Sequence, residues 1–171
     1  GTDGAYSQAA MHKFFSKDVN SFHVQTFRDA MEAIEEGSAD FAVLPIENSS
    51  AGMVSEMYDL LEEFENYIVG EVILPINHYL VGTENTTLES IERVYSHPQA
   101  LMQCSKFLDR HGSWQQIGAA NTAVAAKKIL NENDPTQAAI CSEHAAEIYG
   151  LKILEEKINH NHNNSTRFIV V

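Results

Sequence analysis

Toward the end of the chain the sequence reads His160-Asn161-His162-Asn163-Asn164-Ser165-Thr166-Arg167-Phe168, with two imidazoles one residue apart. On an extended strand such a pair points the same way, and imidazole suits zinc, which takes a tetrahedron of nitrogen, sulfur or carboxylate ligands. The remaining ligands are missing. His12, His23, His78, His97, His111 and His144 are scattered singly, and Cys104 and Cys141 form no C-x-x-C pair. The stretch therefore reads as a solvated polar loop, the cysteines read as buried free thiols, and no metal is expected.

A second set of polar residues falls where apolar strand-like runs give way to helical ones: Ser7, Glu47-Asn48-Ser49-Ser50, Ser96-His97-Pro98-Gln99, Asn121-Thr122 and Ser142-Glu143. Helix capping alone explains any one of them, because Ser, Thr and Asn satisfy the free N–H groups of a first turn. It does not explain "PIENSSAG", where a carboxylate, an amide and two hydroxyls follow a buried strand without a break. Helix N-termini facing a cleft offer free N–H groups and the positive end of the helix dipole, so even an acidic protein can hold an anion there. The residues point to a carboxylate or phosphate ligand. No G-x-G-x-x-G, G-x-x-x-x-G-K-[ST] or G-x-S-x-G motif occurs, which leaves nucleotide binding and that class of serine hydrolysis without support.

The elements that must carry these residues alternate between strand and helix. Helical spacing runs over Ser7–Phe15, Arg28–Glu36, Val54–Phe64, Pro98–Arg110, Thr122–Leu130 and Glu143–Tyr149. Between them lie strand-like runs: "SFHVQTF", "ADFAVLPIE", a long "YIVGEVILPINHYLVG" divided by Pro75, "RVYSH", "WQQIGAA", "QAAICS", "LKILEEKI" and "STRFIVV". Such alternation predicts an α/β fold with largely parallel sheets. Pro75 and the late passage "LEEKINHNHNN" let the chain cross twice between lobes. Lobe one is then expected over about 1–75 plus 158–171 and lobe two over about 76–157, with a ligand cleft between them.

The net charge of −13 on 171 residues argues against nucleic acid and anionic membranes, so the expected partner is a small molecule or a protein. No apolar run approaches the ~18 residues of a membrane span and no signal peptide is evident, so a cytoplasmic location is expected. The chain opens at Gly1 inside a motif, and an upstream strand is expected to be missing.

Taken together, the junction motifs resemble the prephenate dehydratase family. "GTDGAYSQAA" is similar to the family's opening G-P-x-G-T-[FY]-S-x-x-A-A, and "FAVLPIENSSAGMV" to its V-P-I-E-N-S-x-x-G-x-V. "VYSHPQALMQCSKFL", "NTAVAAKKI", "AAICSEHAAEIYGL" and "NNSTRFIVV" match later blocks in the same order. Thr2 stands where the family usually has Pro, and no regulatory ACT motif or chorismate mutase helix is present. The family's constant element is Asn-x-Thr-Arg-Phe, here Asn164, Thr166, Arg167 and Phe168, which makes His160 and His162 part of a variable loop.

The resemblance implies a two-lobed fold like that of type II periplasmic binding proteins, each lobe a mostly parallel sheet flanked by helices. It implies loss of CO2 and water from prephenate to give phenylpyruvate, in phenylalanine biosynthesis. Aromatisation drives that reaction, so no cofactor is expected. Thr166 is implied at the departing hydroxyl, as a hydrogen-bond donor or as a relay for a proton from Glu47 or Glu143, the other two catalytic candidates. Ser7, Asn48, Ser49, Ser96, Gln99, Asn121, Thr122 and Asn164 are implied in substrate binding. Arg167 either binds a carboxylate or holds an acid of lobe one, and Phe168 belongs to the core. Fusion to a regulatory ACT domain in a longer protein is implied, and a homodimer is allowed. Arogenate, with an amino group for the keto group, is an alternative substrate. A non-enzymatic small-anion or amino-acid binding protein of the same fold is the alternative outside catalysis.

Overall fold

The computed structural model describes residues 1–171. The chain divides into two compact units. Unit 1 comprises Gly1–Thr2, Tyr6–Ile76 and Asn163–Val171, and unit 2 comprises Asp3–Ala5 and Asn77–His162.

Unit 1 contains α1 (Tyr6–Phe15), α2 (Phe27–Glu35), β1 (Val43–Asn48), β2 (Gly52–Met53), α3 (Ser55–Phe64), β3 (Gly70–Pro75) and, from the far end of the chain, β9 (Ser165–Val170). Its sheet runs β2-β1-β9-β3. Every pairing is antiparallel, which corrects the expectation of a mostly parallel sheet. The reason lies in β9. Since β1 and β3 both run opposite to β9, they run the same way as each other, as a strand–helix–strand unit should. The late strand fills the slot between them in the opposite direction. The expected strand at 21–27 does not form a ladder: Phe22 is exposed, and Val24 packs inward from an otherwise extended segment.

The two faces of this sheet are covered differently. Ala10 of α1 packs on Val72 and Phe168, with Tyr6, Val43 and Leu74 around them. The other face carries Leu44, Ile46, Ile169 and Val171 against Met31 of α2 and Met57 and Leu60 of α3. Helix α2 opens with a capping box in which Thr26 and Asp29 satisfy each other's backbone N–H groups.

Unit 2 contains β4 (Tyr79–Gly82), β5 (Arg93–Ser96), α4 (Pro98–Gln103), α5 (Ser105–Asp109), β6 (Gln115–Gly118), α6 (Thr122–Glu132), β7 (Gln137–Cys141), α7 (Glu143–Tyr149) and β8 (Lys152–Glu155). The strand order is β6-β5-β7-β4-β8. Strands β6, β5 and β7 are parallel, while β4 runs against both β7 and β8, so this sheet is mixed. Every residue of β7 and β4 is buried, the mark of strands covered on both faces. One face packs on α6 and α7 through Ala125, Ala126, Ile129, Ala145 and Ala146; the other packs on α4 and α5 through Leu101, Cys104, Phe107 and Leu108. The single helix expected over 98–110 is broken at fully buried Cys104, whose backbone (φ −105°, ψ 12°) leaves the helical range. No helix is long and apolar enough to cross a membrane.

Candidate functional site

Thr166 lies near the start of β9, directly opposite Asn48 on β1 and Leu74 on β3. The Asn48 Nδ2 group donates to Thr166 Oγ1 at 2.8 Å and to the Ser165 carbonyl at 3.2 Å. Its Oδ1 accepts from the Ser50 and Ala51 backbone N–H groups, both at 2.9 Å. Those two bonds settle which end of the amide is which, since only the oxygen can accept from N–H donors. All four hydrogen-bonding positions of Asn48 are thereby occupied. Because Thr166 Oγ1 accepts a hydrogen bond from Asn48, its own O–H points away from that amide.

Ser49 and Asn164 brace this pair. The Ser49 hydroxyl donates to Asn164 Oδ1 at 3.1 Å and accepts from the Ser165 N–H at 2.9 Å. Asn164 is buried, and its carbonyl accepts from the Ile76 N–H at 2.8 Å. Both are expected to touch substrate; in the structure their hydrogen bonds tie the end of β1 to the start of β9.

Glu47 is not brought to Thr166. Directly opposed residues share a face of the sheet, and Glu47 is opposite Arg167, on the other side from Thr166. The cause is a one-residue bulge in β1 between Pro45 and Glu47. Counting on from the Pro45–Phe168 pair without it, Glu47 would stand opposite Thr166; the extra residue delivers Asn48 there instead. Arg167 donates through Nε to Glu71 at 2.7 Å and has Nη1 3.6 Å from Glu47. That hydrogen bond with Glu71, and then the charge of the same carboxylate, hold the guanidinium above its ordinary pKa. Of the two implied roles for Arg167, the geometry shows it holding acids. Glu71 was missed, and only the pairing of β3 with β9 reveals it. The hydroxyl of Ser7, in the first turn of α1, has no partner within the protein.

In unit 2 the parallel order puts the carboxyl ends of β5, β6 and β7 on one edge of the sheet, and each is followed by a helix starting there. Asn121 caps α6, its Oδ1 accepting from the Val124 N–H at 2.8 Å. Ser142 caps α7 by accepting from the Ala145 N–H at 3.0 Å, and donates to the Gly4 carbonyl at 3.4 Å. A hydrogen bond of 2.6 Å from Tyr149 to the Asp3 carbonyl fixes the same segment. Gly4 has φ +84°, which favours glycine, and a Cβ there would lie a tight 3.1 Å from Tyr149 and 3.2 Å from Ala145. His97 caps α4 with Nδ1 as acceptor for the Gln99 N–H, which fixes its tautomer. This cap was not anticipated, although the His-Pro step marks it.

Gln99 is half-buried, and its side-chain amide has no partner within the protein. Thr122, the first residue of α6, is buried but for a small fraction. Glu143 is exposed at the start of α7 and acts on Tyr79, whose hydroxyl pKa is raised by burial first and by Glu143 next. Ser96 is different. It is completely buried and donates to the Ile140 carbonyl at 2.7 Å, so the hydroxyl expected to meet substrate bridges two strands of the sheet.

The sequence profile of the prephenate dehydratase family matches residues 1–171. This chain belongs to that family. It is 40% identical, over its whole length, to the bifunctional chorismate mutase/prephenate dehydratase of Enterobacter agglomerans, and spans 45% of that protein. Against the chloroplastic arogenate dehydratase/prephenate dehydratase 1 of Arabidopsis thaliana the identity is 43%, again over the whole chain and 43% of the relative. The chain thus covers less than half the length of these relatives. Its structure superposes on the prephenate dehydratase of Arthrobacter aurescens, solved with L-Phe, with a TM-score of 0.91 and 31% identity over 99% of this chain and 57% of that one. Of the family's Asn-x-Thr-Arg-Phe element, Asn164 braces, Thr166 accepts from Asn48, Arg167 holds acids on the opposite face and Phe168 lies in the core.

Proposed function

We propose that this prephenate dehydratase family member converts prephenate to phenylpyruvate in phenylalanine biosynthesis, in the cytoplasm. The ring carboxylate leaves as CO2, and the electrons of its bond enter the ring as the para hydroxyl departs with a proton, as water. One observation carries the assignment of Thr166 to that hydroxyl: Asn48 donates to Thr166 Oγ1, which leaves the Thr166 O–H to donate to a ligand. A threonine hydroxyl is too weak an acid to surrender its own proton, so it stabilises the developing hydroxide by a hydrogen bond aimed in advance. A proton relay from Glu47 is not part of this reading, because that carboxylate is on the other face of the sheet; Glu143 is the other acid that the family resemblance names. Gln99, Asn121 and Thr122, at the helix-bearing edge of unit 2, orient the substrate carboxylates, assisted by α6 N–H groups.

The test is turnover of prephenate, followed as phenylpyruvate absorbance in alkali. Thr166→Val keeps the branch and nearly the volume; it lowers kcat by about a hundredfold or more with KM little moved. Thr166→Ser retains most activity. If valine is nearly silent and serine is the weaker enzyme, Thr166 only packs. A second substrate reading is favoured by the Arabidopsis relative, whose name joins arogenate to prephenate; comparing kcat/KM for the two substrates decides between them.

A further inference from the structure

We propose that a groove on the α4–α5 face of unit 2 binds a small multivalent anion, of the phosphate or polycarboxylate class. The groove is a cavity of about 590 Å³, a size within the range of small-molecule sites. Lys106 and Arg110 stand four residues apart on and just beyond α5, so they project from one side of it. The Arg110 guanidinium lies over the Phe107 ring, 5.4 Å from its centre, which leaves its N–H edge free to take an anion. From the segment after β8 come Lys157, His160 and His162, while His111 follows Arg110 with its ring stacked 4.0 Å from that of Trp114.

The charges in this chain make the groove unusual. Asp and Glu outnumber Lys and Arg by 24 to 11, so a base has ample choice of partner. Arg28, Arg93, Lys128 and Arg167 each pair with a carboxylate. Lys106, Arg110 and Lys157 do not, although Glu155 and Glu156 line the same groove. Leu88, from the segment before β5, adds no charge. Unpaired cations converging on a concave surface focus a positive field there, against the sign of the whole molecule. Three fixed cations face two carboxylates there. A metal ion is not the occupant, since no three His, Cys, Asp or Glu side chains are arranged to hold one.

Inorganic pyrophosphate is titrated into the whole chain, with citrate as a second probe and acetate as control at equal ionic strength, reading backbone amide NMR shifts. Saturable shifts at Lys106–His111 and Lys157–His162 are expected. Lys106→Ala with Arg110→Ala weakens binding about tenfold or more and leaves prephenate turnover and the melting temperature unchanged. A response to pyrophosphate alone or to citrate alone supports the site and names the source. Shifts no larger than those with acetate, or equal affinity in the Lys106/Arg110 variant, overturn it.

Discussion

Two side-chain amides stand for the two units. In unit 1 the amide of Asn48 spends every hydrogen bond inside the protein, while in unit 2 that of Gln99 spends none. The first acts only through its neighbour, as an orienting group. The second is free to meet a ligand. Unit 1 builds its chemistry by strand register, in which one extra residue decides whether a carboxylate or an amide faces Thr166. Unit 2 builds its polar edge by helix capping, where each residue is set by the few residues after it.

The sharpest way to break this contrast is to change the sign of the Asn48 bond. Asn48→Asp places an acceptor where the donor was, so the Thr166 proton turns inward, and kcat falls by about a hundredfold, at least as far as in Asn48→Ala. If Asn48→Asp keeps more activity than Asn48→Ala, the orienting role is wrong. In unit 2 the corresponding loss is one of stability. Asn121→Ala removes a cap, costs about 1 kcal/mol in denaturant unfolding, and raises KM with kcat changed less than about threefold.

These variants also measure what the sequence could reveal. The unit 2 caps were legible because Asn121 and Ser142 act over three residues, on Val124 and Ala145. The insertion of β9 between β1 and β3 was not, because it joins residues more than a hundred positions apart, as in the bond from Asn48 to Thr166. With it went the antiparallel character of the sheet and the partners of Arg167. One signal for the bulge was present: proline inside a strand is confined to edges and bulges, and Pro45 sits where the register shifts. Ser96 looked like its fellow junction residues, and only its complete burial sets it apart.

A smaller effect separates the units by pH. His78 in unit 2 is buried, and burial lowers its pKa below 6.5, the hydrogen bond to Gln103 opposing this only in part. The unfolded chain then takes up a proton that the folded one refuses. Stability from this group is therefore present above pH 6.5 and is lost as the pH falls below it toward the depressed value. Melting curves between about pH 7 and about pH 5 should show a decline that is shallower in His78→Gln. A parallel decline in both proteins would assign it elsewhere. The smallest expected change is in unit 1, where the Thr2 hydroxyl is buried without a partner. Thr2→Val should stabilise the chain by about 1 kcal/mol, read from the denaturation midpoint.

The position of β9 also fixes an order of events during synthesis. Its residues are made after all of unit 2, yet they form the ladder that joins β1 to β3. On the ribosome, residues 77–162 can therefore collapse around their own core while the two strands made before them still lack their common neighbour. Thr166 arrives with that neighbour, so the nascent chain holds no assembled threonine–asparagine pair until the strand that completes the sheet has been translated.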